Sequence, residues 1–475
     1  MAEGKVPGLP TKEFFISMLT RDIELNDAIL DLLDNCLDGV MRSKDKPPQE
    51  GDFQYYNGFW AKINITQNSF TITDNCGGIP YDKAIDYAFR MGKPKNKTDD
   101  TLPTVGIYGI GMKRAIFKMG LEATVYSKTH NKSFCVHIPE DWANQGDLEW
   151  DFPIEEMETQ LEENGTSIHI EKIVPDVAKQ WEEDGLSSFI DSLIGQIKYH
   201  YSFIIEKGFG IFVNDEIVKP NSVKLLFSNQ QAERRMSPYL YQTVIEGVDV
   251  KIALGFYNPM ISEEDIEKEN EGRRSSLDAG WTILCNDRVV LYNNKDYQTG
   301  WGEANVPRYH TQFIGIRGVV VFRSNNPIKL PMTTTKRGID LSSPIYSEIK
   351  NKMRDGLKIF TDYTNKWKGL ENQEREVSEK SQSVDLKDLL QPHENISKNL
   401  NIHFTPREGG YYFTPKLPEP ISERKEQIIR FSKPPEEINE VTFYLYGEPR
   451  PSIKPSEVGE QCFDKIYKEA RGKRK

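Results

Sequence analysis

The sequence is poor in what disulfide and metal chemistry need. Its 475 residues hold five cysteines, Cys36, Cys76, Cys135, Cys285 and Cys462, and no two are close in the chain. That spacing excludes a CxxC-type zinc site, and an odd, scattered set is the usage of a reduced, intracellular chain. The seven histidines are equally scattered, with no HxxxH pair, which argues against histidine-held metal. No GxSxG elbow is present, although composition alone leaves a Ser/His/Asp triad open. Long apolar runs are missing too. Stretches such as Val319–Phe322 fall far short of the ~20 residues a membrane helix needs. Met1–Thr20 has no apolar core of the secretory type, so the expectation is an intracellular protein, in cytoplasm or nucleus, with no membrane partner.

Positive charge is in deficit: 61 Lys and Arg stand against 72 Asp and Glu, a formal net charge of −11. This argues against a surface that coats nucleic acid throughout, while allowing a local basic patch. Charged residues at 28% and hydrophobic ones at 37% are ordinary for a folded protein. At roughly 150 residues per domain, the length suggests about three domains.

What is present alternates helices and strands. Leu25–Val40 is apolar at Leu25, Ile29, Leu32, Leu33, Cys36 and Val40, a helical period. Trp60–Thr66 and Ser69–Thr73 flank Gln67-Asn68 as a hairpin. Tyr81–Met91 and Met112–Met119 read as helices, with the polar, Pro-containing loop Lys93–Thr104 between them. Leu121–Ser127, Ser133–Ile138 and Thr166–Glu171 read as strands, Leu186–Glu206 as a helix and Gly210–Val218 as extended. The expectation is an α+β domain with a mixed sheet over residues 1–223. A second α/β unit over 224–368 has strands at Trp281–Leu284, Val289–Tyr292 and Gly318–Phe322 and closes on a helix from Pro344. Residues 369–385 read as a charged linker. Residues 386–475 read as a C-terminal interaction segment, with a strand at Val441–Tyr446, a helix at Val458–Arg471 and a basic tip.

Three elements of the first domain carry candidate chemistry. On the helix Asp22–Gly39, residues Asp27, Asp31, Asp34, Asn35 and Asp38 share a face, without any Lys or Arg in the stretch. Like charges at i,i+4 repel by a few tenths of a kcal/mol per pair, so the stripe suggests a cation from outside the helix. Asn35 adds a neutral oxygen that suits Mg²⁺. Next, Asp74 leaves a strand into Asn75-Cys76-Gly77-Gly78, where its carboxylate can accept a bond from an exocyclic amine. Last, Gly106-Ile107-Tyr108-Gly109-Ile110-Gly111-Met112-Lys113 lets backbone approach a phosphate at a helix N-terminus, with Lys113 in reach of the anion. It is neither a Walker A loop nor the dinucleotide fingerprint, since Lys113 does not directly follow the last glycine and Arg114 stands where a glycine is required. Taken singly, a solvated helix face, a turn and a flexible loop account for each.

Their order, followed by Gly165-Thr166 opening a strand, resembles the GHKL ATPase superfamily: heat-shock chaperones of the ninety-kilodalton class, MutL, type II topoisomerase ATPase subunits and histidine kinases. The resemblance implies a Bergerat-type domain, a mixed sheet with helices on one face, with ATP and Mg²⁺ as cofactors. It implies that Asn35 binds Mg²⁺ and that Asp74 binds the adenine amine. It further implies that Gly78 completes the Asp74 motif, that Gly106, Gly109, Gly111 and Lys113 cradle the phosphates, and that Thr166 supports the adenine through water. Asp31 falls where the family's general base usually is. Hydrolytic members carry Glu there, so the shorter Asp31 implies slow turnover. Cys76 replaces the first glycine of the DxGxG motif.

Thr282–Leu291, Gly315–Val321 and Met332–Asp340 look like the transducer-type domain of MORC ATPases, in which a loop lysine reaches the γ-phosphate. Lys336 matches that position, with Arg337 as the second candidate. The resemblance spans Glu13–Trp367 and leaves Leu386–Lys475 uncovered. It implies a MORC-like ATPase in which ATP closes a lid at Lys93–Gly111 and so orders a surface that pairs two chains, with nucleic acid or a separate nuclease in an antiviral system as further partners. The alternative is an ATP-gated scaffold or chaperone with little turnover. A histidine kinase is disfavoured because no phosphoacceptor helix precedes the ATP motifs. A topoisomerase subunit is disfavoured because the tail has no room for a metal-binding cleavage domain.

Overall fold

The computed structural model describes residues 10–44, 52–90, 109–146, 149–228, 234–260, 278–333, 335–420, 429, 431–448 and 453–472. Gly106 and the expected lid up to residue 108 lie outside the described residues, and Thr334 does too. The first sheet has eight strands: β1 (Trp60–Ile65), β2 (Phe70–Asp74), β3 (Gly120–Lys128), β4 (Ser133–Ile138), β5 (Ile154–Glu156), β6 (Gly165–Ile173), β7 (Gly210–Val213) and β8 (Glu216–Ile217). Their order is β5-β4-β3-β6-β2-β1-β7-β8, and only the β1–β7 pair is parallel.

The register aligns apolar residues from strand to strand. Ile63 lies opposite Ile72 and Val213, Ile72 opposite Ile168, and Ile168 opposite Val125. These residues share one core with Ile29, Leu33, Ile116 and Ile197 from the helices Leu25–Lys44, Gly111–Met119 and Glu183–His200. Intervening positions are polar: Thr73 Oγ1 and Ser167 Oγ lie 2.7 Å apart, and Ser167 Oγ lies 3.0 Å from His169 Nε2. Period-two alternation is what a sheet covered on one face requires.

The chain continues through β9 (Lys224–Phe227), β10 (Tyr239–Ile245), β11 (Val248–Phe256), β12 (Gly280–Cys285), β13 (Arg288–Asn294), β14 (Ile316–Arg323), β15 (Gln382–Asp385), β16 (Thr405–Arg407) and β17 (Gly410–Phe413). Seven of these form a second sheet in the order β13-β12-β14-β11-β10-β17-β16, while β9 pairs with β15. Its central strands β11, β12 and β14 are buried on both faces. Val320 packs with Ile252, Ile283 and the long helix Pro344–Lys366, through Ile349, Met353 and Leu357. Val319 and Val321 pack instead with Leu225, Phe227, Leu386 and Leu389. A strand covered on both sides reads as a continuous apolar run, which is why Val319–Phe322 shows no alternation.

Two expectations fail here. The supposed linker at 369–385 forms the helix Glu371–Ser378 and strand β15, which pairs antiparallel with β9. Its charge misleads because Glu374 is only 1% exposed. The Glu374 carboxylate accepts bonds from the Met260 N–H at 3.0 Å, the Tyr363 hydroxyl at 3.1 Å and the Ser378 hydroxyl. A buried acid with satisfied acceptors behaves as core. The start of the expected C-terminal segment also belongs to the second layer, since β17 pairs with β10 and Ile396 and Ile402 are buried beneath the sheet.

The chain divides into two compact units, Met1–Pro420 and Ile421–Lys475. In the latter, the expected strand Val441–Tyr446 is the end of the helix Pro435–Tyr446. Pro435, Glu436 and Glu437 in its first turn and left-handed Gly447 beyond its last are start and stop signals that outrank the local β propensity. The helix Pro455–Gly472 follows. Among the described residues, no helix is long and apolar enough to cross a membrane.

Candidate functional site

The acidic stripe of the helix Leu25–Lys44 meets cations that the chain itself supplies. Arg337 Nε lies 3.0 Å from Asp27 Oδ1. Arg114 Nη2 pairs with Asp31 Oδ2, and Lys336 Nζ lies 3.5 Å from Asp31 Oδ1. Lys336 is closer to Asp34, at 2.9 Å from Oδ2. Arg288 Nε lies 2.9 Å from Asp34 Oδ1, which also accepts the Tyr201 hydroxyl at 2.7 Å. Asp34 is 1% exposed. Burial alone pushes its carboxyl up, but the Lys336 and Arg288 cations outweigh that and hold it well below the usual carboxylate range. Burial likewise pulls the Lys336 ammonium down, and Asp34 and Asp31 more than offset the pull.

Asp74 ends β2 and is buried. Its Oδ1 accepts the Cys76 N–H at 2.7 Å, and the Cys36 thiol lies 3.5 Å from Oδ2. The Thr166 N–H reaches the same carboxylate. Burial pushes the Asp74 carboxyl up, and these donors only partly offset it. The turn holding it demands glycine. Gly78 has φ +74°, and a Cβ there would lie 2.2 Å from the Lys128 carbonyl oxygen. A Cβ on Gly165 would lie 1.9 Å from the Asp74 carbonyl oxygen. Cys76 contributes its amide to Asp74, so a side chain at that position is compatible with the turn.

Beside this floor, the helix Gly111–Met119 starts without a side-chain cap. Lys113, 2% exposed, donates to the Ala88 carbonyl at 2.9 Å and to that of Gly109. Burial lowers its ammonium to about 8. An ammonium held by carbonyl oxygens rather than by a carboxylate is not neutralised by those partners and, while protonated, is available to an anion.

Lys336 arrives from the far side, where its N–H bonds the Thr333 carbonyl next to the Met332–Ile339 bridge. Its φ is +57°, a left-handed backbone that a lysine adopts only where its surroundings enforce it. Together these elements enclose a cavity of about 390 Å³. It brings together Asp31, Asn35, Asp74, Gly109, Gly111, Lys113, Thr166 and Lys336, with Leu32, Ile72, Ile79, Met112 and Ile168 as apolar wall. Gly78 shapes the turn without lining the space, and Arg337 lies on Asp27. Sequence reasoning missed Arg114, Arg288 and Tyr201. The signal for the two arginines was the acidic helix itself, whose charge needed partners from elsewhere.

Residues 23–168 match the family model described as histidine kinase-, DNA gyrase B-, and HSP90-like ATPase. This matched GHKL-type region contains the acidic helix, Asp74 and the glycine-led helix, and it ends at Ile168, just past Thr166. Arg288 and Lys336 lie beyond it. A GHKL-type domain points to ATP as the ligand and to ATP hydrolysis as the general activity. No curated protein matches the chain.

Proposed function

We propose that this chain is a Mg²⁺-dependent ATPase of MORC-like organisation, whose second layer reads the terminal phosphate of ATP through Lys336. The observation that carries the reading is the position of Lys336. An ammonium contributed by the second layer lines the same cavity as Asp74, Asn35 and Lys113 of the GHKL-type region. The cavity volume falls within the usual ligand range of about 300–1,000 Å³, and its lining sets an apolar wall against charged groups of both signs. Ile72 and Ile168 would face the purine, with Asp74 placed to accept its amine. Lys113 and Lys336 would hold the phosphates. Among the described residues, no group of three His, Cys, Asp or Glu could hold a metal alone. Asn35 lines the cavity and offers a neutral oxygen that would suit Mg²⁺, an ion that keeps waters and takes phosphate oxygens. The ion, when bound, supplies charge neutralisation at the phosphates.

In this reading Asp31 holds the attacking water. Water oxygen bonds to the terminal phosphorus, its proton passes to the carboxylate, and the bridging oxygen leaves on ADP with the bonding electron pair. Both Asp31 oxygens have cations beside them, Arg114 on Oδ2 and Lys336 at 3.5 Å from Oδ1, so departure of Lys336 opens Oδ1 further to the water. The same observation favours a second reading, an ATP-gated scaffold with little turnover. Nucleotide-gated pairing of two chains, and action on nucleic acid or beside a nuclease, complete the MORC-like proposal. Calorimetric titration with ATP analogue separates the outcomes. Asp74→Asn and Asn35→Ala should both weaken binding, the former by about 1.5–3 kcal/mol for a lost charge-assisted bond. Unchanged affinity in both variants contradicts the site. Binding without phosphate release in the wild type selects the scaffold.

A further inference from the structure

Arg114 stands three residues after Gly111 on the helix Gly111–Met119, so the two present to the same neighbour. That neighbour is Asp31. A Cβ placed on Gly111 would lie 3.4–3.5 Å from the Asp31 Cβ, carboxyl carbon and Oδ2. Arg114 Nη2 donates to that same Oδ2. The Arg114 side chain is 16% exposed and that of Asp31 6%, so this pair is largely out of water. The two oxygens of Asp31 are therefore held unequally. Oδ2 has a charge-assisted bond from within its own layer. Oδ1 has the longer contact, 3.5 Å, to a lysine from the second layer that lies nearer Asp34. The terminal torsion of an aspartate is soft and roughly two-fold, so an unpinned carboxylate presents either oxygen at varying angle.

We propose that Arg114 is the positioning residue for the hydrolytic step. It pins Asp31 Oδ2, so that Oδ1, uncovered when Lys336 moves to the terminal phosphate, takes the proton of the attacking water. The proposal rests on the ATPase reading above and assigns a role that Lys113, its neighbour on the helix, does not fill. Lys113 bonds the carbonyl oxygens of Ala88 and Gly109, whereas Arg114 holds the carboxylate. Misplacing a catalytic group by about 1 Å costs on the order of 10²-fold in rate, which sets the effect to look for.

The test is steady-state ATP hydrolysis by the full chain and by Arg114→Ala, Arg114→Lys, Asp31→Asn and the double variant Arg114→Ala/Asp31→Asn. Arg114→Ala should lower kcat by on the order of 10²-fold with KM for ATP near that of the wild type. Arg114→Lys should recover part of the loss, and it serves as the probe if Arg114→Ala does not fold. In the Asp31→Asn background, removing Arg114 should cost nothing further. A merely structural arginine would raise KM or multiply its loss with that of Asp31→Asn. Either result, or full activity in Arg114→Ala, overturns the positioning role while leaving the ATPase reading intact. A wild type that binds ATP and releases no phosphate overturns both.

Discussion

Two buried carboxylates fasten the second layer to the first, and they differ in what surrounds them. Asp287 takes Lys207 Nζ at 2.5 Å and Arg323 Nη2 at 2.6 Å. Asp34 takes Arg288 Nε and Lys336 Nζ, each at 2.9 Å. One turn serves both, because Asp287 and Arg288 are adjacent. Asn286 and Asp287 are both left-handed, with φ 47° and 68°, the geometry of a two-residue hairpin turn. Burial alone would raise the Asp287 carboxyl, yet Arg323 and Lys207 hold it at about 2. The chemistry of the two sites is thus alike, but only Lys336 borders the cavity. Buried ion pairs are weak evidence for function by themselves. A pair becomes a switch when a competing ligand offers one member a better partner in one state only. On the proposed ATPase reading, Asp287 is a fixed fastener and Asp34 a releasable one.

Removing each carboxylate should break this contrast most severely. Asp287→Ala strands Lys207 and Arg323, and Asp34→Ala strands Arg288 and leaves Lys336 only its longer contact with Asp31. Each should cost about 3–5 kcal/mol in urea unfolding without nucleotide. A non-hydrolysable ATP analogue should stabilise Asp34→Ala more than Asp287→Ala, because phosphate replaces the lost partner of Lys336. Equal stabilisation of the two variants would erase the distinction.

Acid sharpens the comparison more gently. The folded Asp287 carboxyl sits near 2, below its unfolded value of about 3.9. Its contribution is therefore complete above about pH 4 and fades as pH falls toward 2. Asp287→Asn should flatten stability across that window. If wild type and variant lose stability in parallel there, the Asp287 fastener is not what acid releases.

The smallest effect concerns Lys113. With its ammonium lowered to about 8, it is partly neutral in the nucleotide-free chain above that pH. A phosphate beside it favours the charged form, so ATP binding should take up protons at about pH 8.5 and weaken as pH rises further. Calorimetry in two buffers of different ionisation heat measures the uptake. Lys113→Met should abolish it, and zero uptake in the wild type would move the phosphates away from Lys113.

The parts of the site legible in the sequence are those built from neighbours in the chain. Asp74 with Gly78, Gly109 with Lys113, and the stripe Asp31–Asn35 each lie within one strand end, one helix start or one helix face. Local chemistry dictates such short motifs. Lys336 was legible only through resemblance, since it meets Asp34 across 302 residues. Arg288 and Tyr201 were not, because nothing local marks an arginine at a hairpin turn or a tyrosine between two helices as a partner for a distant acid. The same limit explains the supposed linker. Glu374 looks solvated until Met260 and Tyr363, far off and nearby in sequence, are seen to satisfy it.

The central claim is that the terminal phosphate draws Lys336 from Asp34 and Asp31. Calorimetric titration of the wild type and Lys336→Ala with ADP and with a non-hydrolysable ATP analogue tests it most directly. Because only the analogue carries the third phosphate, the wild type should prefer it over ADP. Lys336→Ala should bind ADP about as well as the wild type does and lose that preference. A preference of equal size in both proteins would contradict the account, and would leave Lys336 as a structural contact alone.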